Sequence, residues 1–119
     1  MQIIRNYVGG ELVEPIQGKY IDNIEPATGQ VYSQLPESTE EDLERAVEAA
    51  EKAQPEWAAL SLEERAAILT KLANTIDYHS NQLAKAEAVD NGKPFTLAKN
   101  VDIYRSAANI RFFAQAITQ

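Results

Sequence analysis

The chain has no cysteine and a single histidine, His79, in 119 residues. Disulfides, thiolate metal sites and thiol nucleophiles are therefore excluded within these residues, and a histidine-rich metal centre cannot be assembled. His79 lies in the polar stretch Asp77-Tyr78-His79-Ser80-Asn81-Gln82 between helical segments, which reads as a surface position. With one base and no G-x-S-x-G turn to expose a serine, a Ser-His-Asp hydrolase is not indicated. Only five glycines are present, and neither G-x-x-x-x-G-K-[ST] nor G-x-G-x-x-G occurs, so no phosphate-cradling loop is expected. Long apolar runs are missing too, which argues against a bilayer span. No basic, apolar leader opens the sequence, and a soluble, cytoplasmic protein is the expectation. Lys and Arg are outnumbered, giving a net charge of −7. That balance disfavours a nucleic-acid or anionic-membrane surface, either of which needs clustered cations. Much of the acid falls between Glu37 and Glu51 and reads as a solvated helix face.

What is present is an ordinary globular composition, 45% hydrophobic and 24% charged, in a chain short enough for one small domain at most. The first 35 residues read as four short strands. Gly9-Gly10 between Tyr7-Val8 and Leu12-Val13 predicts a two-residue hairpin loop, because both glycines accept positive φ. A second hairpin is predicted around Pro26-Ala27-Thr28-Gly29, joining Tyr20–Ile24 to Val31–Leu35. Four such strands bury too little to stand alone.

From Pro36 the period becomes helical. Ser38 and Glu41 predict a capping box, followed by a narrow, alanine-rich face at Leu43, Ala46, Val47, Ala50 and Ala53 that allows close packing. Pro55 is expected to end or kink this helix, and Trp57 to anchor the core. Ser61 with Glu64 repeats the capping pattern ahead of Leu62, Ala66, Leu69, Leu72, Ala73 and Ile76. A short helix then stops at Asn91-Gly92-Lys93-Pro94, with Gly92 suited to a left-handed cap and Pro94 to a new start. The last segment, Phe95 to Ile117, is apolar almost all round and so expects protein on every side. Three thin partners and two hairpins cannot supply that cover. The pattern predicts a piece of a larger α/β protein or else an obligate oligomer.

The run "IEPATGQVYSQLPESTEEDLERAVEAAEKAQPEWAALSLEERAAILTKLANTI", followed by "DNGKP" and "FFAQ", resembles the N-terminal segment of the aldehyde dehydrogenase superfamily. The resemblance extends from about Tyr7 to the end and departs at Glu25, where the family usually has Asn. It implies an α/β protein in full, of which this chain supplies N-terminal β-hairpins (1–35) and about four α-helices (36–119) on the cofactor-binding-domain side. It further implies NAD-dependent, or NADP-dependent, oxidation of an aldehyde substrate to a carboxylate. In that family a cysteine thiolate attacks the aldehyde and a glutamate later activates water. Both residues, and the Gly-rich cofactor segment, lie downstream of Gln119 in family members. No catalytic or cofactor-binding residue is therefore assigned here, and the chain alone is expected to be inactive, which the lack of cysteine implies independently.

Family members that bind a monovalent cation take oxygen ligands from positions that match Asn23, Ile24 and Asp90, which implies K⁺ or Na⁺. Asp90 alternatively only caps its helix end. The family helix after D-N-G-K-P lines the substrate tunnel, with apolar residues usual at the positions of Val101 and Arg105. The closest pattern is that of the 2-hydroxymuconic/2-aminomuconic semialdehyde dehydrogenase branch, D-I/V-P-R-S then N-F-R-F-F-A. Asp102-Ile103-Tyr104-Arg105-Ser106 and Asn109-Ile110-Arg111-Phe112-Phe113-Ala114 match it except at Tyr104 and Ile110. The resemblance implies substrate-binding roles for Arg105 and Val101, since a guanidinium meets a distal carboxylate with two parallel hydrogen bonds. The competing reading is an ion pair between Arg105 and Asp102, one helical turn away. Arg111 points to another face, with no partner identified by the sequence. An alternative from a different class is a stand-alone, non-enzymatic helical dimerisation or binding module, its last helix covered by a second copy. In either reading a homo-oligomer is expected, without nucleic acid or membrane as partner.

Overall fold

A computed structural model describes residues Met1–Gln119. It divides into two compact units, Met1–Ala58 and Ala59–Gln119.

In the first unit, β2 (Asn6–Val8) and β3 (Glu11–Val13) form the antiparallel hairpin expected around Gly9-Gly10. Both glycines have positive φ, 61° and 88°, the signature of the tight turn whose twist matches the strands. β4 (Tyr20–Glu25) and β5 (Gln30–Pro36) form the second hairpin. Gly29, at φ 69°, donates its N–H to the Glu25 carbonyl at 2.9 Å and closes the loop. A fifth strand, β1 (Gln2–Ile3), pairs parallel with β5. Two residues carry no alternation, so nothing in the sequence marked it. A bulge interrupts the β4–β5 ladder, because Asn23 pairs with Ser33 while Ile24 pairs with Val31.

Helix α1 (Glu40–Ala59) follows. Its cap differs from the expected Ser38–Glu41 box by one residue. The Thr39 N–H and hydroxyl donate to Asp42 Oδ2 at 2.8 and 3.2 Å, and the Ser38 hydroxyl instead accepts from Asn6 Nδ2 at 2.8 Å. Asp42 also accepts the Ile16 N–H at 2.9 Å. One carboxylate thus satisfies the helix start and a preceding loop, which Glu41 in its expected role would not. Pro55 does not end the helix, which runs four residues beyond it; lacking an N–H, it forgoes the helical bond to the Glu51 carbonyl. Trp57 is not a core anchor in this chain, being 38% exposed. The hairpin turn lies against α1 beside its alanine face: a Cβ on Gly9 would stand 3.8 Å from the Ala49 Cβ.

In the second unit, α2 (Leu62–Tyr78) starts with the Ser61 box intact: Ser61 N–H to Glu64 Oε2 at 2.8 Å, and Glu64 N–H to Ser61 Oγ at 3.1 Å. α3 (Ser80–Asn91) ends at Gly92, at φ 83°. The expected single last helix is broken into α4 (Phe95–Leu97), a π-helical segment (Ala98–Ile103) and α5 (Tyr104–Ala116). The segment is apolar almost all round, so the rotation that one widened turn introduces displaces no stripe, and the turn has no sequence signature.

The fully buried hydrophobic residues of this unit are all alanines, Ala73, Ala84, Ala98, Ala107 and Ala114. Ala107 and Ala114 are seven residues apart on one face of α5, where they allow close helix approach. The large side chains remain open: Tyr104 at 65%, Phe112 at 63% and Phe113 at 61%. That matches the expectation of a helix that wants protein on every side. No helix is long and apolar enough to cross a membrane.

Candidate functional site

The corner between α3 and α4 is set by backbone chemistry. Gly92 takes the left-handed cap and donates its N–H to the Ala88 carbonyl at 2.9 Å. Pro94, at φ −59° and ψ 140°, opens the next helix. From this corner Lys93 Nζ reaches Asp102 Oδ2 at 2.6 Å and Glu87 Oε1 at 3.4 Å. The Asp102 bond raises the Lys93 pKa above its ordinary 10.5, outweighing the opposing effect of desolvation.

The pairing of Asp102 with Lys93 decides the fate of Arg105. Asp102 is the residue that would have neutralised Arg105 one turn away, and its bonded partner is Lys93. Arg105 is exposed and makes no ion pair or hydrogen bond within the chain. Val101, 39% exposed, precedes it by four residues inside the π segment, and residues so spaced lie near one another on a helix. The two positions expected to contact substrate therefore flank the end of a widened turn, a feature common at functional sites.

Arg111 has a partner in this chain. Its Nη2 donates to Asn74 Oδ1 and Asp77 Oδ2 on α2. The sequence offered no way to choose Asp77, which is 34 residues away. Asp77 also borders a small recess of about 230 Å³ with Ser80, Lys99, Asn100 and Tyr104. His79 is exposed, as expected.

The three positions named for a monovalent cation divide between the units. Asn23 and Ile24 are neighbours on β4 at the bulge; Asn23 Nδ2 donates to Tyr32 Oη at 3.0 Å and Ser33 Oγ at 3.1 Å. Asp90 is exposed in the last turn of α3. No cluster of three or more His, Cys, Asp or Glu side chains is placed to hold a metal.

The model of the aldehyde dehydrogenase family matches residues 12–119. The chain belongs to the aldehyde dehydrogenase family. Among curated relatives, the 2-aminomuconic semialdehyde dehydrogenase of Danio rerio is 44% identical over 97% of this chain, and that of Mus musculus 42% over 96%. An acetaldehyde dehydrogenase of Pseudomonas aeruginosa is 41% identical over 94%. The chain spans 22 to 23% of the length of these relatives. Among solved structures, PnpE from Pseudomonas sp. WBC-3 superposes with a TM-score of 0.92 at 34% identity, over 98% of this chain and 24% of its own. The NAD⁺ complex of an aldehyde dehydrogenase from Bacillus cereus gives 0.92 at 39% identity, over 96% and 24%. The exposed aromatic residues of α5 and the alanine core belong to a chain about one quarter the length of these structural relatives.

Proposed function

We propose that this chain is the N-terminal portion of a cytoplasmic, NAD-dependent aldehyde dehydrogenase that oxidises a muconic-type semialdehyde to the carboxylate, and that Arg105 receives the distal carboxylate of that substrate. The observation that carries the proposal is the unneutralised Arg105 beside Val101, with Asp102 taken by Lys93. An unpaired guanidinium is costly once desolvated, and a bidentate carboxylate satisfies it. The identity to 2-aminomuconic semialdehyde dehydrogenases supports the same substrate class. NAD, when bound, accepts the hydride; residues outside this chain hold it and supply the nucleophile and base, so the 119 residues alone carry no turnover. In this reading residues 1–35 and 36–119 are the hairpin and helical parts of the cofactor-domain side, within a homo-oligomer. K⁺ or Na⁺ suits the hard carbonyl oxygens that the resemblance points to at Asn23 and Ile24 on β4.

The test is Arg105→Ala in the complete enzyme. KM for a semialdehyde with a distal carboxylate should rise roughly 10- to 100-fold, the worth of a charged hydrogen bond, while a neutral aldehyde of similar length is spared. Equal losses on both substrates would reject the assignment.

A further inference from the structure

Lys93 has a restricted backbone. Gly92 before it is in the left-handed region and Pro94 follows it, and a residue preceding proline is confined to extended conformations. Its ammonium joins Glu87 on α3 to Asp102, the next-to-last residue of the π segment. The Lys93 side chain is only 25% exposed. A compact ammonium with three donors suits two separate carboxylates better than a planar guanidinium does.

The segment it grips needs a tertiary cause. No proline or glycine occurs between Phe95 and Ala116 to force a wide turn. Each residue of an α-helix advances about 100° around the axis. Closing a π turn into α geometry removes one residue from the turn, and everything beyond would then face a direction different by about that angle. Arg105 is the second residue of α5, immediately beyond the turn. Its direction therefore depends on whether residues 98–103 stay wide, and Asp102, inside the same segment, would turn away from its present place if they closed.

We propose that Lys93 is a positioning residue: by holding Asp102 against the α3–α4 corner it keeps residues 98–103 in the wide turn and so sets the direction in which Arg105 is presented to the substrate carboxylate. The second half of this statement rests on the assignment of Arg105 made above; the first half does not.

The experiment uses the complete enzyme with Lys93→Met, and with Asp102→Asn as an isosteric second variant that removes the charge from the other end. Crystal structures should show residues 98–103 converted to α-helix. KM for a semialdehyde with a distal carboxylate should rise on the order of tenfold, as misplacement of a binding group does, with KM for a neutral aldehyde changed far less. Lys93→Arg should recover part of the loss. A wide turn retained in both variants would overturn the holding role, and equal losses on anionic and neutral substrates would overturn the positioning role. If Arg105→Ala shows no preference between substrates while Lys93→Met loses the turn, the assignment of Arg105 fails and the holding role stands.

Discussion

Arg111 on α5 is bound to Asp77 on α2, a contact between residues 34 positions apart that ties the two longest helices of the second unit. Asn74, one turn earlier on α2, accepts from the same guanidinium nitrogen at 2.8 Å. Both ends of the ion pair are partly screened, at 33% and 47% exposure. Arg111→Met should therefore lower unfolding free energy by about 1 kcal/mol, toward the upper end for pairs of this kind. Urea denaturation of the wild type, Arg111→Met, Asp77→Asn and the double variant measures it, and additive losses would show that the two do not interact.

Asp42 gives the first unit a pH dependence. Hydrogen bonds from the Thr39 and Ile16 backbone hold its carboxyl below the ordinary 3.8, outweighing desolvation. A depressed folded-state pKa means that the ionised form is stabilised by folding, so this contribution is present above the unfolded value and is lost as pH falls through the folded one. Acid titration of stability should show a loss beginning near pH 4 and continuing below it that is absent in Asp42→Asn. A parallel fall in the variant would remove Asp42 as the cause.

The box at Ser61 is complete in both directions. Ser61→Ala should cost about 1 kcal/mol, the typical worth of an N-cap. Ser61→Asp, which keeps an acceptor and adds a charge favourable to the helix N-terminus, should cost far less. Thermal unfolding of the two variants orders them, and an equal cost would mean that the cap is irrelevant to the measured transition.

Gly9 separates backbone strain from steric fit. An added Cβ meets Ala49 only at ordinary contact distance, 3.8 Å, while φ stands at +61°. Gly9→Ala should lose about 1 to 2 kcal/mol from the left-handed conformation alone. Gly9→Asn should lose less, because Asn visits that region more readily. A reversed order in denaturant midpoints would place the cost in packing against α1 instead.

What was legible was local. The turns at Gly9-Gly10 and Pro26–Gly29, the box at Ser61 and the stop at Gly92 each depend on the preferences of a few adjacent residues, and each occurs where the chain spells it. The Ser38 box failed by one position because Asp42 also serves the Ile16 N–H, 26 residues away. Trp57 failed because an aromatic residue reports that it wants cover without saying whether this stretch of chain supplies it.

The sequence by itself determined the two hairpins, the start of α2, the stop at Gly92 and the family, because each is written in contiguous residues or in the order of motifs. Only the tertiary structure decided which acid answers which base. Asp102 was a plausible partner for Arg105 and belongs to Lys93; Asp77 gave no sign of belonging to Arg111. The wide turn at residues 98–103 was decided there too. Ion pairing follows distance in space rather than along the chain, and a π turn within a helix apolar on nearly every side displaces no stripe, so neither leaves a local trace to read.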